Sequence, residues 1–130
     1  MLVSFFEEFP DKESLSKLRF VSWPTKLYVG ATSFDEFNRI KSSIKNKKVR
    51  EFVYWPLLGK EEGYWISPFS SRRALKRVFG ELKNKDVPVM LDAELPTTKN
   101  PWLYVTQSLN FFRNKSLIKN FIKSRKDVYV

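Results

Sequence analysis

The 130-residue chain has no cysteine and no histidine. Without cysteine, disulfides, iron–sulfur clusters and thiolate zinc sites are excluded. Without histidine, the Ser-His-Asp and Cys-His nucleophilic systems go too, along with almost every zinc enzyme. Any catalysis falls to carboxylates, lysine, tyrosine or a hard, oxygen-bound metal. Long apolar runs are also missing. The longest, such as "FVYWPLL" (52–58), is far too short to span a bilayer. The N-terminal "MLVSFFEEFP" has no basic leader and carries acids in its apolar stretch, which predicts a cytoplasmic protein with no signal peptide.

What is present describes one folded α/β domain over residues 1–130. Hydrophobic residues make up 42% and charged residues 29%, a globular balance with enough apolar material for a core. The formal net charge is +10, which suggests an acidic partner. Abundant Lys and Glu, no Cys and a single Gln also match the composition of thermophile proteins, so charge alone does not establish nucleic-acid binding.

The apolar pattern alternates between strand and helix. Strands are predicted at 1–9, 25–31, 49–58 and 87–96, with a short fifth in "DVYV" (127–130). Between them lie a short helix over 11–20 capped by Asp11, and a longer one over 33–46. The longer helix opens on a Ser33/Glu36 capping box and carries a Phe34, Phe37, Ile40, Ile44 stripe. A third begins at Ser70 or Ser71. A helical region follows the Asn100-Pro101 start and continues or kinks into 114–126. The connection "GKEEGYWISPF" (59–69) is long, holds two glycines, and is predicted to be the most mobile.

Strict alternation predicts parallel strands. Four βα units plus a fifth strand fit half of a (βα)8 barrel, which needs about 250 residues when complete; a small open parallel sheet is the alternative. The turn after the first strand, "EEFPDKE", is acidic where a doubly wound fold would bind phosphate. A half-barrel leaves edge strands open, and open edges predict a homo-oligomer.

"VPVMLDAELP" (87–96) is an apolar strand ending in two acids. Strand periodicity puts Asp92 and Glu94 on the face of Met90, with Glu8 on the corresponding face of the first strand and Tyr54 on that of the third. Buried neighbouring carboxylates push each other's pKa values apart, and acid–base chemistry uses that separation. A rim carboxylate can equally neutralise an inward Lys or Arg, or simply reach solvent. A strand ending in Asp-x-Glu resembles the fourth barrel strand of chitinase-type glycosidases. That resemblance implies Glu94 as proton donor and Asp92 as its orienting neighbour, although "VPVML" replaces the upstream aspartate and glycine expected there.

Trp55, Tyr64 and Trp65 fall at or after the third strand and suit stacking on a sugar ring, as well as packing on the rim. The expected function is a carboxylate-based, glycosidase-like hydrolase with Glu94 as general acid and Asp92 and Glu8 assisting. Its substrate would be a carbohydrate or a phosphorylated compound, and no cofactor is called for. A divalent-metal phosphodiesterase using the same carboxylates is a close relative. A non-catalytic basic scaffold or nucleic-acid-binding protein is the alternative, with the amphipathic segment bearing Lys115, Lys119, Lys123 and Lys126 as its contact surface.

Overall fold

The computed structural model describes residues 2–94 and 101–130. The chain alternates as expected: β1 (Val3–Glu7), α1 (Lys12–Lys17), β2 (Thr25–Ala31), α2 (Phe34–Ser43), β3 (Val49–Pro56), α3 (Arg72–Leu82), β4 (Val89–Met90), α4 (Trp102–Thr106), α5 (Phe111–Lys123) and β5 (Val128–Tyr129). The five strands form one parallel sheet in chain order, β1-β2-β3-β4-β5. β1 and β5 are its edges, and the arrangement is a small open parallel sheet. Asn100, the expected helix cap, lies outside the described residues. Among those described, no helix is long and apolar enough to cross a membrane.

Chain order in a parallel sheet has a consequence for layering. When each connection crosses to the next strand in the same sense, every helix lands on the same face. The core bears this out: Leu27, Val29, Tyr54, Val89 and Leu91 share one cluster with Leu18, Phe37, Leu75, Leu82 and Phe121. The alternate residues, Phe6, Tyr28, Val53, Trp55, Met90 and Tyr129, lie on a face that no described helix covers. This face is curled. β2 and β5 are three strand steps apart, about 14 Å in a flat sheet. Yet Lys26 Nζ reaches Tyr129 Oη at 2.9 Å, and the Tyr28 and Tyr129 rings meet edge-on at 5.8 Å. Lys26 also pairs with Glu51 at 3.0 Å. The concave face is filled by its own side chains, with Phe6 stacked on Tyr28 at 4.4 Å.

The safest local signals behave as elementary chemistry requires. Asp11 accepts from Ser14 N–H at 2.7 Å and starts α1. Ser33 accepts from Glu36 N–H at 3.2 Å and starts α2. The reciprocal half of that capping box is absent: Glu36 turns instead to Thr32, accepting from its N–H and hydroxyl. The backbone of Phe34 is satisfied from outside the helix, by Glu81 of α3 at 2.9 Å. Arg125 ties two connections together. Its guanidinium donates to the carbonyls of Leu82, Lys85 and Val87 and pairs with Asp127.

The connection 57–71 is not the loose segment that its glycines and length predict. Leu58 N–H donates to Tyr64 C=O, Ile66 N–H to Asp92 C=O, and Ser71 N–H to Glu62 C=O. Buried Ser70 donates to Trp65 C=O and accepts from Ser67 N–H. The Glu62 carboxylate takes a two-pronged ion pair from Arg77 of α3, which holds it below the usual carboxylate range. Asn114 of α5 is fully buried, accepts from Arg72, and donates to the Pro68 and Ser70 carbonyls at 2.9 and 3.0 Å. Replacing Asn114 with Leu removes the donor to both carbonyls, of which that of Ser70 is the more deeply buried contact. This should cost about 2 kcal/mol of stability, read as a lowered denaturant midpoint with an unchanged slope.

Candidate acidic site at the strand ends

β1 and β4 deliver their acids past the last paired residues. The predicted fourth strand is much shorter in the structure: only Val89 and Met90 pair, and Asp92 and Glu94 lie beyond the ladder. Pro88 can offer only its carbonyl, which accepts from Tyr54 N–H at 2.8 Å. Above Met90, the Asp92 carbonyl is taken by Ile66 N–H of the 57–71 connection rather than by a strand. Asp92 keeps the open-face parity of Met90 and is half-buried, while Glu94 is exposed.

Glu8 follows the last residue of β1 and turns over β2 at close range. A Cβ on Gly30 would lie 2.6 Å from the Glu8 carbonyl oxygen, so only glycine permits this approach. The Glu8 carboxylate accepts from the Tyr64 hydroxyl at 2.8 Å. Tyr64 is held there at a conformational cost: its φ is 59°, the left-handed region that bulky residues avoid. Trp65 N–H closes on Gly63 C=O at 2.7 Å, a γ-turn around Tyr64. Strain of this kind costs on the order of 1–3 kcal/mol and persists only where surrounding bonds enforce it. Burial first, and then the bond to Glu8, raises the Tyr64 pKa and keeps the phenol protonated as a donor.

Asp92 is the acid whose titration its surroundings move. Partial burial raises the Asp92 pKa, and the charges of Glu94 and then Glu8 raise it further. Glu8 and Tyr64 also line a cleft of about 330 Å³ together with Phe9, Gly30, Glu36 and Leu57. Among the described residues, no group of three or more acidic side chains is placed to share a metal ion.

The aromatic expectations divide. Tyr64 sits in the cleft, with Phe9 stacked on it at 6.5 Å and Trp65 edge-on at 4.9 Å. Trp55 is on the open face but buried, its indole N–H without a partner among the described residues. Tyr54 corrects the expectation outright, because it faces the helices. Pairing of Tyr28 with Val53 and Val29 with Tyr54 sets its parity, and the Phe34 and Phe37 rings pack against it at 5.9 and 5.1 Å. Sequence reasoning passed over Gly30 and the special role of Tyr64. A glycine inside a strand pattern is the signal that marks such a close approach.

Comparison with known proteins gives no match, whether to a family model, to a curated protein or to a solved structure. The likeness of the Asp-x-Glu stretch to chitinase-type glycosidases therefore rests on those residues alone.

A raised carboxyl pKa has a defined effect on stability. Folded Asp92 holds its proton to higher pH than the unfolded chain does. Between the two pKa values the folded state binds more protons, so stability falls as pH rises through that window. Asp92→Asn removes the fall. Its melting temperature should exceed that of the parent by roughly 1–3 °C near neutral pH, with no difference below the unfolded-state pKa of about 3.9. A uniform loss at both pH values would make Asp92 a structural acid.

Proposed function

We propose that the acidic rim is a general acid–base site of the glycoside-hydrolysing type. The observation that carries the reading is the electrostatic coupling of Asp92 to Glu94 and Glu8, beside a strained tyrosine that fixes Glu8. Glycoside hydrolysis needs one carboxyl that still holds a proton and one carboxylate on the other side of the bond. Burial favours the protonated form of Asp92, which makes it the donor to the leaving oxygen in this reading. Glu8, anchored by Tyr64, is the carboxylate that receives the proton of the attacking water or steadies the cationic sugar. Glu94, exposed at the end of the stretch, tunes Asp92 through its charge. This inverts the Asp92 and Glu94 roles that the chitinase-type resemblance implies. Phe9, Tyr64 and Trp65 supply the apolar surface on which a sugar ring stacks. The metal-dependent phosphodiesterase reading has less support, since the described acids are not grouped to share an ion.

Hydrolysis of a panel of aryl glycosides and soluble glucans tests the proposal. Asp92→Asn and Glu8→Gln should each lower kcat by about 100-fold or more, the usual reach of acid–base catalysis. Tyr64→Phe, which loosens Glu8 without removing it, should cost less. Absence of turnover by the parent on every glycan, or wild-type turnover by Asp92→Asn, sinks the reading.

Self-association is a second proposal, favoured by the edges. Leu2 and Val3 stand 40% and 37% exposed along β1, and Val130 is 75% exposed beyond β5. Unpaired parallel edges with apolar side chains recruit further strands. Sedimentation equilibrium should find dimers at high micromolar concentration, and a strictly monomeric profile would refute them.

A further inference from the structure

The connections entering β2 and β3 carry a different chemistry from the rim. No acid occurs in 14–34 or in 37–50, and the second stretch alone holds six basic residues. The fold brings these segments together. Asn46 donates to the carbonyls of Leu18 and Val21 at 2.7 and 2.9 Å, and Thr25 N–H donates to Lys48 C=O at 2.8 Å. Between them opens a cavity of about 590 Å³ lined by Ser16, Arg19, Ser43, Lys45, Asn46 and Lys47, without a carboxylate. A register irregularity between β2 and β3 leaves Arg50 as an extra, exposed residue at the same end. Among the described residues, Arg19, Lys45, Lys47, Lys48 and Arg50 form no salt bridge.

Basic residues near helix ends ordinarily complement the helix dipole. That explains Lys17 and Lys41, each in the last turn of its helix. Lys45 also serves that end, its ammonium donating to Ser42 C=O at 3.1 Å, but Lys47, Lys48 and Arg50 follow the end of α2 without such a role. Clustered like charges without a carboxylate partner repel, and a polyanion relieves that repulsion. Beside them two aromatic rings face solvent: Phe20 is 71% exposed and Trp23 44%. The Arg19 guanidinium lies 4.6 Å from the centre of the Phe20 ring, and Trp23 is stacked on Phe5 at 6.4 Å. Flat, oriented rings interleaved with free cations bind unstacked bases and their phosphates together. A DNA duplex would use the charge but not the ring faces, and a membrane interface would bury the rings as anchors instead of stacking on them.

We infer that this end of the molecule is a binding face for single-stranded nucleic acid. Arg19, Lys45, Lys47, Lys48 and Arg50 would track the phosphates, and Phe20 and Trp23 would stack bases. The face is separate from the acidic rim and does not depend on its proposed chemistry.

The test is fluorescence anisotropy of the intact chain with a labelled oligouridylate of about 20 nucleotides, longer than one stacking site. Four to five phosphate contacts give a slope of about −3 for log K against log salt. Reversing Lys45, Lys47 and Lys48 to Glu should weaken binding by about tenfold or more. The charge-matched reversal of Lys115, Lys119 and Lys123 on α5 should change it less than about twofold, because it alters net charge but touches no phosphate. Phe20→Ala should weaken binding without changing the salt slope. Should the triple Glu variant lose its far-UV signature, Lys→Gln at the same positions reads the same loss. Equal losses from the two triple variants would reduce the effect to net charge and overturn the inference. So would binding to phosphatidylserine vesicles with none to the oligonucleotide.

Discussion

The structure depends on one constraint: a parallel sheet in chain order receives all its helices on one face. A parallel sheet usually has both faces covered. Here the second face must find another way to leave water, and it does so by curling. Tyr28, Val53 and Trp55 are buried although no described helix lies over them. The bond from Lys26 to Tyr129 crosses two intervening strands, and side chains standing perpendicular to a flat sheet would not meet there. Curling also draws the ends of β1 and β4 inward, so that the Glu8 charge reaches Asp92. The acidic site is therefore a by-product of the way the sheet buries its uncovered face.

The order of elements was legible because it rests on short-range signals. Asp11 and Ser33 cap the helices that their positions announce, and the Phe34, Phe37, Ile40, Ile44 stripe faces the core. The parity of Tyr54 was not legible. "FVYWPLL" is apolar on both faces, so alternation gives no reason to prefer one side, and only pairing with β2 decides it. The 57–71 connection misled for a related reason. Its glycines and exposed-looking aromatics describe local freedom, whereas its order comes from partners far along the chain, Asp92, Arg77 and Asn114. Of the candidate site, the three carboxylates and Tyr64 could be named from sequence. That Asp92 rather than Glu94 is half-buried accompanies the closing of Ile66 onto the Asp92 carbonyl, a distant contact that no local pattern records.

Tyr64 shows how such order is spent. The segment around it is fastened to β4, α3 and α5, and that fastening holds a tyrosine in a backbone conformation it would not choose. The strained residue is the one whose hydroxyl fixes Glu8. Strain at a residue that positions another side chain fits pre-organisation, with the supporting bonds placed well away from the carboxylates.

The cations of 45–50 and the acids Glu8 and Asp92 lie at opposite ends of the strands, and their fields act beyond contact distance. A molecule with such a charge axis experiences a torque as well as a pull near any extended anion, out to roughly the Debye length of about 8 Å at physiological salt. Given the proposed binding face, it would turn before it touches, presenting the Lys45–Arg50 end and directing Glu8 and Asp92 outward. Under both proposals, a substrate of the rim would then be met by a site already facing solution, held at a constant height above the strand bound at the other end.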